Sequence, residues 1–229
     1  MNLLTFIIPV RHQDNARDWG RLKENLSQTL MSVANQTDSD WKGIVVANEG
    51  ADLPTLPDRF FVERVSFPPN RMYDFGMADR EEVWDAVRAD KGRRILAGML
   101  SARDSRFFMI VDDDDLVSSR LVEHVRANPD ANGWTINLGY LWSDGGRLLM
   151  LHDDLKRICG TTLIVRSDAY RLPGSFEDAS LDWIKLMLGS HVKPPGLLAA
   201  QGSALVPFPS GGRCIGSDMP ARTVACLAS

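Results

Sequence analysis

Short apolar runs recur along the chain, and each is followed by a polar or loop-forming segment. Runs of this length without polar alternation are typical of strands that are buried on both faces of a sheet. They predict strands at residues 3–8, 41–47, 107–111 and 161–165, and a further strand is predicted over residues 60–67. A segment with helical periodicity separates the first two runs, and this β-α-β order predicts a right-handed crossover and a parallel sheet.

Helices are indicated where apolar residues recur every three or four positions. The pattern is clearest in the stripe formed by Leu22, Leu26, Leu30 and Val33, and we expect that helix to end near residue 35. Further helices are predicted over residues 80–89, after Gly92, through residues 121–125 and from about residue 180, where Leu181, Ile184 and Leu188 are expected to be buried.

Length and composition suit one α/β domain. The chain has 229 residues, of which 44% are hydrophobic, enough for a sizeable core. We predict a single domain over residues 1–229, with strands around a turn at residues 134–151 and a loop-rich tail from residue 194. The predicted fold class is α/β, with a Rossmann-like, mostly parallel central sheet flanked by helices and a small antiparallel portion in the second half.

Charge and cysteine content narrow the class of protein. The net charge is −4 and no long basic stretch occurs, so a nucleic-acid-binding surface is not indicated. Cys159, Cys214 and Cys226 match neither a zinc spacing nor a disulfide framework, which fits a reducing cytoplasm. The apolar start, residues 1–10, has no basic leader and is too short to span a bilayer, so we predict neither a signal peptide nor a transmembrane segment.

Four consecutive aspartates, Asp112 to Asp115, follow directly on the apolar run at residues 107–111. A strand that ends in carboxylates places negative charge at the carboxyl edge of a sheet, where open α/β sheets bind ligands. A hard divalent cation such as Mg²⁺ or Mn²⁺, shared with substrate phosphates, relieves the repulsion between neighbouring carboxylates. The alternative is a solvated acidic turn before a helix whose N-cap is Ser118 or Ser119. We favour the metal or phosphate site.

Four segments, in this order and spacing, resemble glycosyltransferase family 2. Residues 6–10, Phe-Ile-Ile-Pro-Val, are similar to the opening strand of that family, and residues 30–37 resemble the end of its first helix. Residues 41–50 resemble its second strand, and residues 110–115 resemble its apolar-Asp-x-Asp-Asp metal motif. The likeness covers the first 125 residues well and the rest loosely.

The resemblance implies a GT-A fold in which residues 1–125 bind a nucleotide sugar and residues 126–229 bind the acceptor. It implies inverting transfer of a sugar from a nucleotide-diphosphate donor, with a UDP-sugar favoured, and Mn²⁺ or Mg²⁺ as cofactor. The acceptor would be a hydroxyl group of a glycan, a lipid-linked molecule or a small molecule, in polysaccharide biosynthesis. The implied location is the cytoplasm, either free or peripheral at the inner membrane face.

Site residues carry over at the positions that match the family's motifs. The implied nucleotide-sugar-binding residues are Pro9, Val10, Arg11, Glu49, Lys91, Arg94, Asp112 and Asp113. Glu49 departs from the family's usual Asp, and Lys91 and Arg94 suit a diphosphate but also fit a solvated helix start. The implied metal ligands are Asp114, Asp115 and His191. The alternative for His191, a lone histidine at a helix end, is capping of backbone carbonyls.

The implied catalytic base is an acidic residue in the second half of the chain. Asp182 is preferred because Trp183 follows it and a helix would hold it in place, and Glu177 and Asp178 are the runner-up pair. An aspartate in the first turn of a helix also occurs without a catalytic role, because the helix dipole favours it.

Two other classes remain open at this point. A nucleotidyltransferase also pairs a Rossmann-like sheet with acidic metal ligands, but it usually has a glycine-rich loop after its first strand, and here no glycine precedes Gly20. The other is a nucleotide-sugar-binding relative that has lost catalysis. An aspartate-nucleophile phosphatase fits poorly, because its aspartates would lie near the start of the chain.

Overall fold

The computed structural model describes residues 2–71, 79–142 and 149–209, and the backbone of residues 214–216. Its strands are β1 (Leu4–Pro9), β2 (Trp41–Asn48), β3 (Phe60–Val65), β4 (Phe107–Ile110), β5 (Gly133–Thr135), β6 (Gly139–Trp142), β7 (Leu149–His152), β8 (Leu163–Arg166), β9 (Val206–Pro207) and β10 (Cys214–Gly216). Its helices are α1 (Trp19–Ala34), α2 (Arg80–Ser101), α3 (Leu121–Ala127), α4 (Leu181–Trp183), which continues as a π-helical segment over Ile184–Leu188, and α5 (Pro194–Ala200). Short 3₁₀ turns lie at Gln13–Asn15, Leu155–Arg157 and Ser167–Tyr170.

A seven-stranded sheet in the order β3-β2-β1-β4-β8-β5-β9 runs through both halves of the chain. The strands from β3 to β4 are parallel, as the β-α-β pattern predicts. β8 is antiparallel to both of its neighbours, and β9 is parallel to β5. A separate three-stranded sheet contains the antiparallel pair β6 and β7, with β10 alongside β6. The predicted α/β class with a small antiparallel portion is confirmed.

Each face of the large sheet is covered by a helix. On one face, the predicted stripe of α1 packs against Phe6 and Ile8, and its four apolar residues are buried. On the other face, α2 and the π-helical segment cover Ile7 and its neighbours. Alternate residues of β1 therefore enter different halves of the core, which is why its sequence is apolar throughout.

The prediction of two helices around Gly92 is wrong, because α2 is one continuous helix of 22 residues. Gly92 lies inside it and serves packing. A Cβ atom at this position would lie 2.7 Å from both Cγ2 and the carbonyl oxygen of Ile184. Glycine is therefore needed for the close approach of two helical segments, and it does not mark a break.

Other boundaries differ from the prediction. The N-cap of α3 is Arg120, and neither Ser118 nor Ser119 takes that place. The segment after residue 194 contains α5 and β9, so it is more regular than the predicted tail. Leu181 is 40% exposed, because α4 is short and its first turn points into solvent. The turn predicted at residues 143–146 lies outside the described residues.

Within the described part of the chain, no helix combines the length and apolarity that crossing a membrane requires.

Candidate functional site

The aspartate run forms a tight turn directly beyond β4. Val111 still donates its backbone N–H to the Ile7 carbonyl of β1, at 2.9 Å, and the Asp115 N–H then donates to the Asp112 carbonyl at 3.1 Å. The turn therefore lies at the carboxyl edge of the parallel strands, as the sequence predicts. The four aspartate side chains point in different directions and contact different parts of the protein.

Asp115 points inward and is 3% exposed. Its Oδ2 accepts hydrogen bonds from Thr161 Oγ1 at 2.5 Å and from the Cys159 thiol at 3.1 Å. The same Thr161 oxygen accepts the Asp112 backbone N–H at 2.9 Å. Burial, with repulsion from Asp114 and Asp112, raises the pKa of Asp115 well above its usual value. This carboxyl group ties the turn to the segment before β8.

Asp112 forms an ion pair with Lys91 of α2, with 2.5 Å between Oδ1 and Nζ. Burial opposes ionisation of both groups, but their mutual attraction outweighs it, so the pKa of Asp112 is lowered and that of Lys91 is raised. Gly160 makes the close pair possible, because a Cβ atom there would lie 2.5 Å from Asp112 Oδ2 and 2.9 Å from Lys91 Nζ.

Asp113 lies on the other side of the turn and is 6% exposed. The Arg11 guanidinium is 3.9 Å from its Oδ1, and its buried Oδ2 has no hydrogen-bond partner among the described residues. Burial, with repulsion from Asp114 and Asp112, raises the pKa of Asp113 to about 7, although the Arg11 charge opposes this shift. Arg11 lies two residues beyond the end of β1, and Pro9 and Val10 before it are buried at this edge.

Asp114 opens onto a cleft of about 250 Å³ between the turn and the start of α1. The cleft is lined by Arg11, Asn15, Ala16, Arg17, Asp18, Arg21, Leu22, Asn25, Asp113 and Asp114. Carboxylates and guanidinium groups therefore both line the cleft, at the edge where the sheet would bind a ligand.

His191 is brought to the opposite side of the run from this cleft. With Lys91 and Gly160 it lines a cavity of only about 10 Å³. Burial and the nearby Lys91 charge lower the pKa of His191, against Asp112 and a hydrogen bond with the Arg157 backbone, which raise it. Its Nε2 has no hydrogen-bond partner among the described residues.

The positions of the four carboxylates show which of them could hold the predicted divalent cation. Among the described residues, no group of three or more His, Cys, Asp or Glu side chains is arranged to hold an ion by itself. Asp115 is engaged by Thr161 and Cys159, whereas Asp112 and Asp114 lie at the edge of the sheet. Mg²⁺ in nucleotide sites commonly takes one or two carboxylates and completes its shell with phosphate and water. Asp114, which lines the cleft, fits that kind of site.

Arg94 is placed differently from the other predicted nucleotide-binding residues. It is 1% exposed and donates two hydrogen bonds to Asp90, at 3.0 and 3.1 Å, and one to Asn48 Oδ1, at 2.7 Å. Its guanidinium therefore anchors α2 to the end of β2. Glu49 is the next residue after Asn48 and is exposed at the tip of β2, before the left-handed Gly50 (φ 74°).

The three candidate bases are all exposed. Asp182 lies in the first turn of α4, behind the N-cap Ser180. Asp178 accepts hydrogen bonds from the backbone N–H and hydroxyl of Ser175, at 2.9 and 3.0 Å. Phe176 stacks on Phe67 at 5.6 Å, which places the Glu177–Asp178 pair beside the segment that follows β3.

Sequence reasoning missed the segment that supports the aspartate turn. Cys159, Gly160 and Thr161 contact Asp112 or Asp115 because β8 is antiparallel to β4 and begins where β4 ends. The only sign in the sequence is a small residue and hydroxyl residues directly before an apolar run, which is too common a pattern to predict such a role.

The fold is that of an α/β protein with a mostly parallel, Rossmann-like sheet. No protein-family model matches the chain, and no curated protein matches it in sequence. Several solved structures are similar to it in fold. The 2-C-methyl-D-erythritol 4-phosphate cytidylyltransferase IspD of Francisella tularensis superposes with a TM-score of 0.50 at 10% identity, over 93% of this chain and 90% of IspD.

Structures of S. aureus TarS are also similar. The complex of TarS residues 1–349 with UDP gives a TM-score of 0.49 at 13% identity over 80% of this chain. The complex with UDP-GlcNAc gives 0.46 at 14% identity over 74% of it. The chain spans about half the length of these TarS chains, 54% and 46%. At 10% identity the likeness to IspD shows the fold alone, and we draw no conclusion from the TarS superpositions, whose TM-scores are below 0.5.

Proposed function

We propose that the protein is a glycosyltransferase that moves a sugar from a nucleoside-diphosphate donor, a UDP-sugar in preference, to a hydroxyl group of an acceptor. The observation that carries the proposal is the turn after β4, where Asp112 and Asp114 lie at the carboxyl edge between two cations, Lys91 and Arg11. A diphosphate needs cationic partners, and a site for a metal–diphosphate complex needs carboxylates beside them.

Each residue of the proposed donor site has a place in this arrangement. The nucleoside would lie over the ends of β1 and β2, beside Pro9, Val10 and Glu49. The diphosphate would lie between Arg11 and Lys91. Asp114, with Asp112, would hold Mn²⁺ or Mg²⁺, which when bound neutralises charge on the diphosphate. Asp115 supports the turn through Thr161 and Cys159, and Asp113 lines the cleft beside Asp114.

The reaction would be a single displacement with inversion. A carboxylate accepts the proton of the acceptor hydroxyl, the acceptor oxygen bonds to the anomeric carbon, and the nucleoside diphosphate leaves with the bonding electrons. Arg11 and Lys91 stabilise the negative charge that develops on the leaving group. Asp182 remains our first choice for the base, and the pair Glu177 and Asp178 is the second.

Calorimetric titration tests the donor site. UDP, GDP and CDP are titrated with and without Mn²⁺ into wild type, Asp114→Ala and the control Asp58→Ala, which removes an exposed aspartate just before β3, at the opposite edge of the sheet. We expect one nucleotide to bind in a metal-dependent way and Asp114→Ala to weaken it about tenfold or more. Absence of binding, or binding that is indifferent to both metal and Asp114, would refute the proposal.

The base is tested separately with Asp182→Asn and Asp178→Asn. Asparagine keeps the shape of each side chain but cannot take up a proton at neutral pH. We expect one variant to lose transfer and keep its nucleotide affinity, because the base acts only in the chemical step. If Asp182→Asn transfers at the wild-type rate, Asp182 is not the base.

A nucleotidyltransferase is the second candidate. The arginines that follow β1 favour it, because Arg11, Arg17 and Arg21 line a cleft at the position where such enzymes bind a triphosphate. Release of pyrophosphate from UTP or CTP in the presence of a sugar phosphate would establish this activity, and glycosyl transfer from a UDP-sugar produces none.

A further inference from the structure

One outer edge of the large sheet is formed by β3, and no strand lies beyond it among the described residues. The carbonyls of Arg59, just before the strand, and Val65, at its end, accept N–H groups from Gly43 and from the residue that follows β2, each at 3.0 Å. Because the backbone groups of successive strand residues point to alternate sides, those of Val62 and Arg64 point away from β2. β3 therefore presents an edge on which another strand can pair.

This edge lacks the usual protection against such pairing. Edge strands are commonly blocked by proline, lysine or a β-bulge. β3 contains neither proline nor lysine, and its register with β2 is unbroken from Phe60 to Val65. Phe61 is 59% exposed, more than any other large hydrophobic side chain of the described residues, and Val62 beside it is also exposed. Adjacent exposed apolar side chains on an open edge are typical of an interaction surface.

A groove of about 570 Å³ lies beside Phe61, on the face of the sheet that α2 covers. Phe61 and Ile44, its neighbour on β2, contribute apolar surface to the groove. Lys42 also lines it, but its ammonium group is paired with Asp104 at 2.7 Å. The groove extends the exposed surface of the strand inward, so a partner at this edge can contact more than the strand itself.

Opposite charges flank Phe61 along β3. Arg59 lies two residues before it and Glu63 two residues after it, and both line the groove. Arg59 Nη1 donates to the Ser39 carbonyl, which holds the guanidinium at the start of the strand. A two-fold axis through Phe61 would place the Arg59 of each molecule opposite the Glu63 of the other, so this edge is complementary to itself in charge.

We infer that β3 pairs with β3 of a second copy of this chain, antiparallel about a two-fold axis at Phe61, to form a dimer with one continuous sheet. The two Phe61 side chains then face each other across the axis, with Cβ atoms about 4.5–5.5 Å apart. Each Val62 N–H donates to the Phe60 carbonyl of the other copy, whereas the Phe60 N–H already donates to the Pro57 carbonyl of its own chain.

The charges select this register among those that the edge allows. An axis at Glu63 would oppose two carboxylates, and an axis at Val62 would place each Glu63 against an aromatic ring. Only the axis at Phe61 combines an aromatic pair with two opposite-charge pairs. β3 lies three strands away from β4, so the inference does not rest on the proposed function.

Sedimentation equilibrium over a series of protein concentrations tests the dimer. The variants are Phe61→Lys, Arg59→Glu, Glu63→Arg and the charge swap Arg59→Glu/Glu63→Arg. The matched control is Met31→Lys, which alters a side chain of α1 that is 54% exposed. Urea unfolding at the lowest concentration shows whether each variant is folded.

We expect wild type to dimerise with a Kd of roughly 1–100 µM, since each copy contributes one strand and one groove. Phe61→Lys opposes two cations at the axis and should weaken the dimer at least tenfold, whereas Met31→Lys should leave it unchanged. Each single charge reversal should weaken it about tenfold, and the charge swap should restore most of that loss.

A wild-type protein that stays monomeric at every concentration would overturn the inference, because the occupant of this edge would then not be a second copy. A dimer that Phe61→Lys leaves intact, or that Met31→Lys weakens equally, would overturn it by placing the contact elsewhere. Failure of the folded charge-swap variant to recover association would overturn the pairing of Arg59 with Glu63.

Discussion

Gly160 is the residue on which the pairing of Lys91 with Asp112 depends. A methyl group there would overlap both charged ends. We expect Gly160→Ala to separate the ion pair and weaken nucleotide binding about tenfold, with a change of stability of about 1 kcal/mol, since only two side-chain ends must move. Calorimetry and urea unfolding measure the two quantities.

Gly196→Ala is the matched control for Gly160→Ala. Gly196 lies in α5, and a Cβ atom there would have no neighbour within 4 Å. This substitution should leave nucleotide binding unchanged and stabilise the protein by roughly 0.5–1 kcal/mol, as alanine does in helices. Equal nucleotide affinity in the two variants would mean that the ion pair has no part in binding.

The Thr161 hydroxyl bonds to both ends of the aspartate turn, because it accepts the Asp112 backbone N–H and donates to the Asp115 carboxyl. Thr161→Val keeps the shape of the side chain but removes its hydroxyl group. Of the two hydrogen bonds to the Asp115 carboxyl described above, only the one from the Cys159 thiol then remains. We expect a loss of about 1–3 kcal/mol in the free energy of unfolding, measured in urea. Thr161→Ser retains the hydroxyl and should recover most of that loss, whereas equal losses in both variants would point to the methyl group instead.

At the scale of elements, α2 connects the core to the site. Arg94 fixes this helix to the end of β2 through Asn48, and Lys91 lies one turn earlier. Arg94→Met leaves the Asp90 carboxylate unpaired, and we expect it to cost about 3–5 kcal/mol of unfolding free energy. Asp90→Asn/Arg94→Met should cost less than the sum of the two single changes, and additive losses in urea would contradict a paired anchor.

The sequence predicts which segments are regular better than it predicts how they are arranged. The apolar runs identify β1, β2 and β4 because buried parallel strands must be apolar on both faces. The same runs carry no sign of direction, so the antiparallel orientation of β8 could not be read from them. In the sequence Gly92 resembles a helix break, because the residue it packs against, Ile184, is 92 positions away along the chain.

At the scale of the whole molecule, the sequence likewise predicts which residues form the site better than how their side chains are arranged. The run Asp112 to Asp115 is visible in the local sequence, whereas Arg11 and Lys91 are implied by the resemblance to a known family, and the structure brings these residues together at one edge. The inward turn of Asp115 and the buried place of Arg94 depend on partners far along the chain, Thr161 and Asn48. Side-chain direction at such positions is decided by tertiary contacts and leaves no local sign.

His124 links distant parts of the molecule and predicts a pH dependence. Its ring lies in the last turn of α3, 5.2 Å from Trp134 and 4.3 Å from Phe208. Burial lowers the pKa of His124, so the unfolded chain takes up a proton more readily as the pH falls. The stability that neutral His124 contributes is therefore present above the ordinary histidine pKa and is lost as the pH drops through the lowered value.

His124→Leu removes this titration while keeping an apolar side chain. Between about pH 8 and about pH 5 we expect wild type to lose unfolding free energy relative to the variant, because this range spans the ordinary histidine pKa. Urea unfolding at a series of pH values measures the difference. If the free energies of unfolding of the two proteins vary with pH in parallel, the pKa of His124 does not change on folding.

The antiparallel placement of β8 also has a consequence for synthesis on the ribosome. Thr161 follows Asp115 by 46 residues, so a nascent chain exposes its acidic turn, and the apolar flank of β4, well before β8 can cover them. The first half of the protein can collapse around β1 and β2, but its carboxylates lack their native support until the second half has emerged. We therefore expect nascent chains that end between these two residues to bind chaperones, and chains that extend past β8 to be released from them.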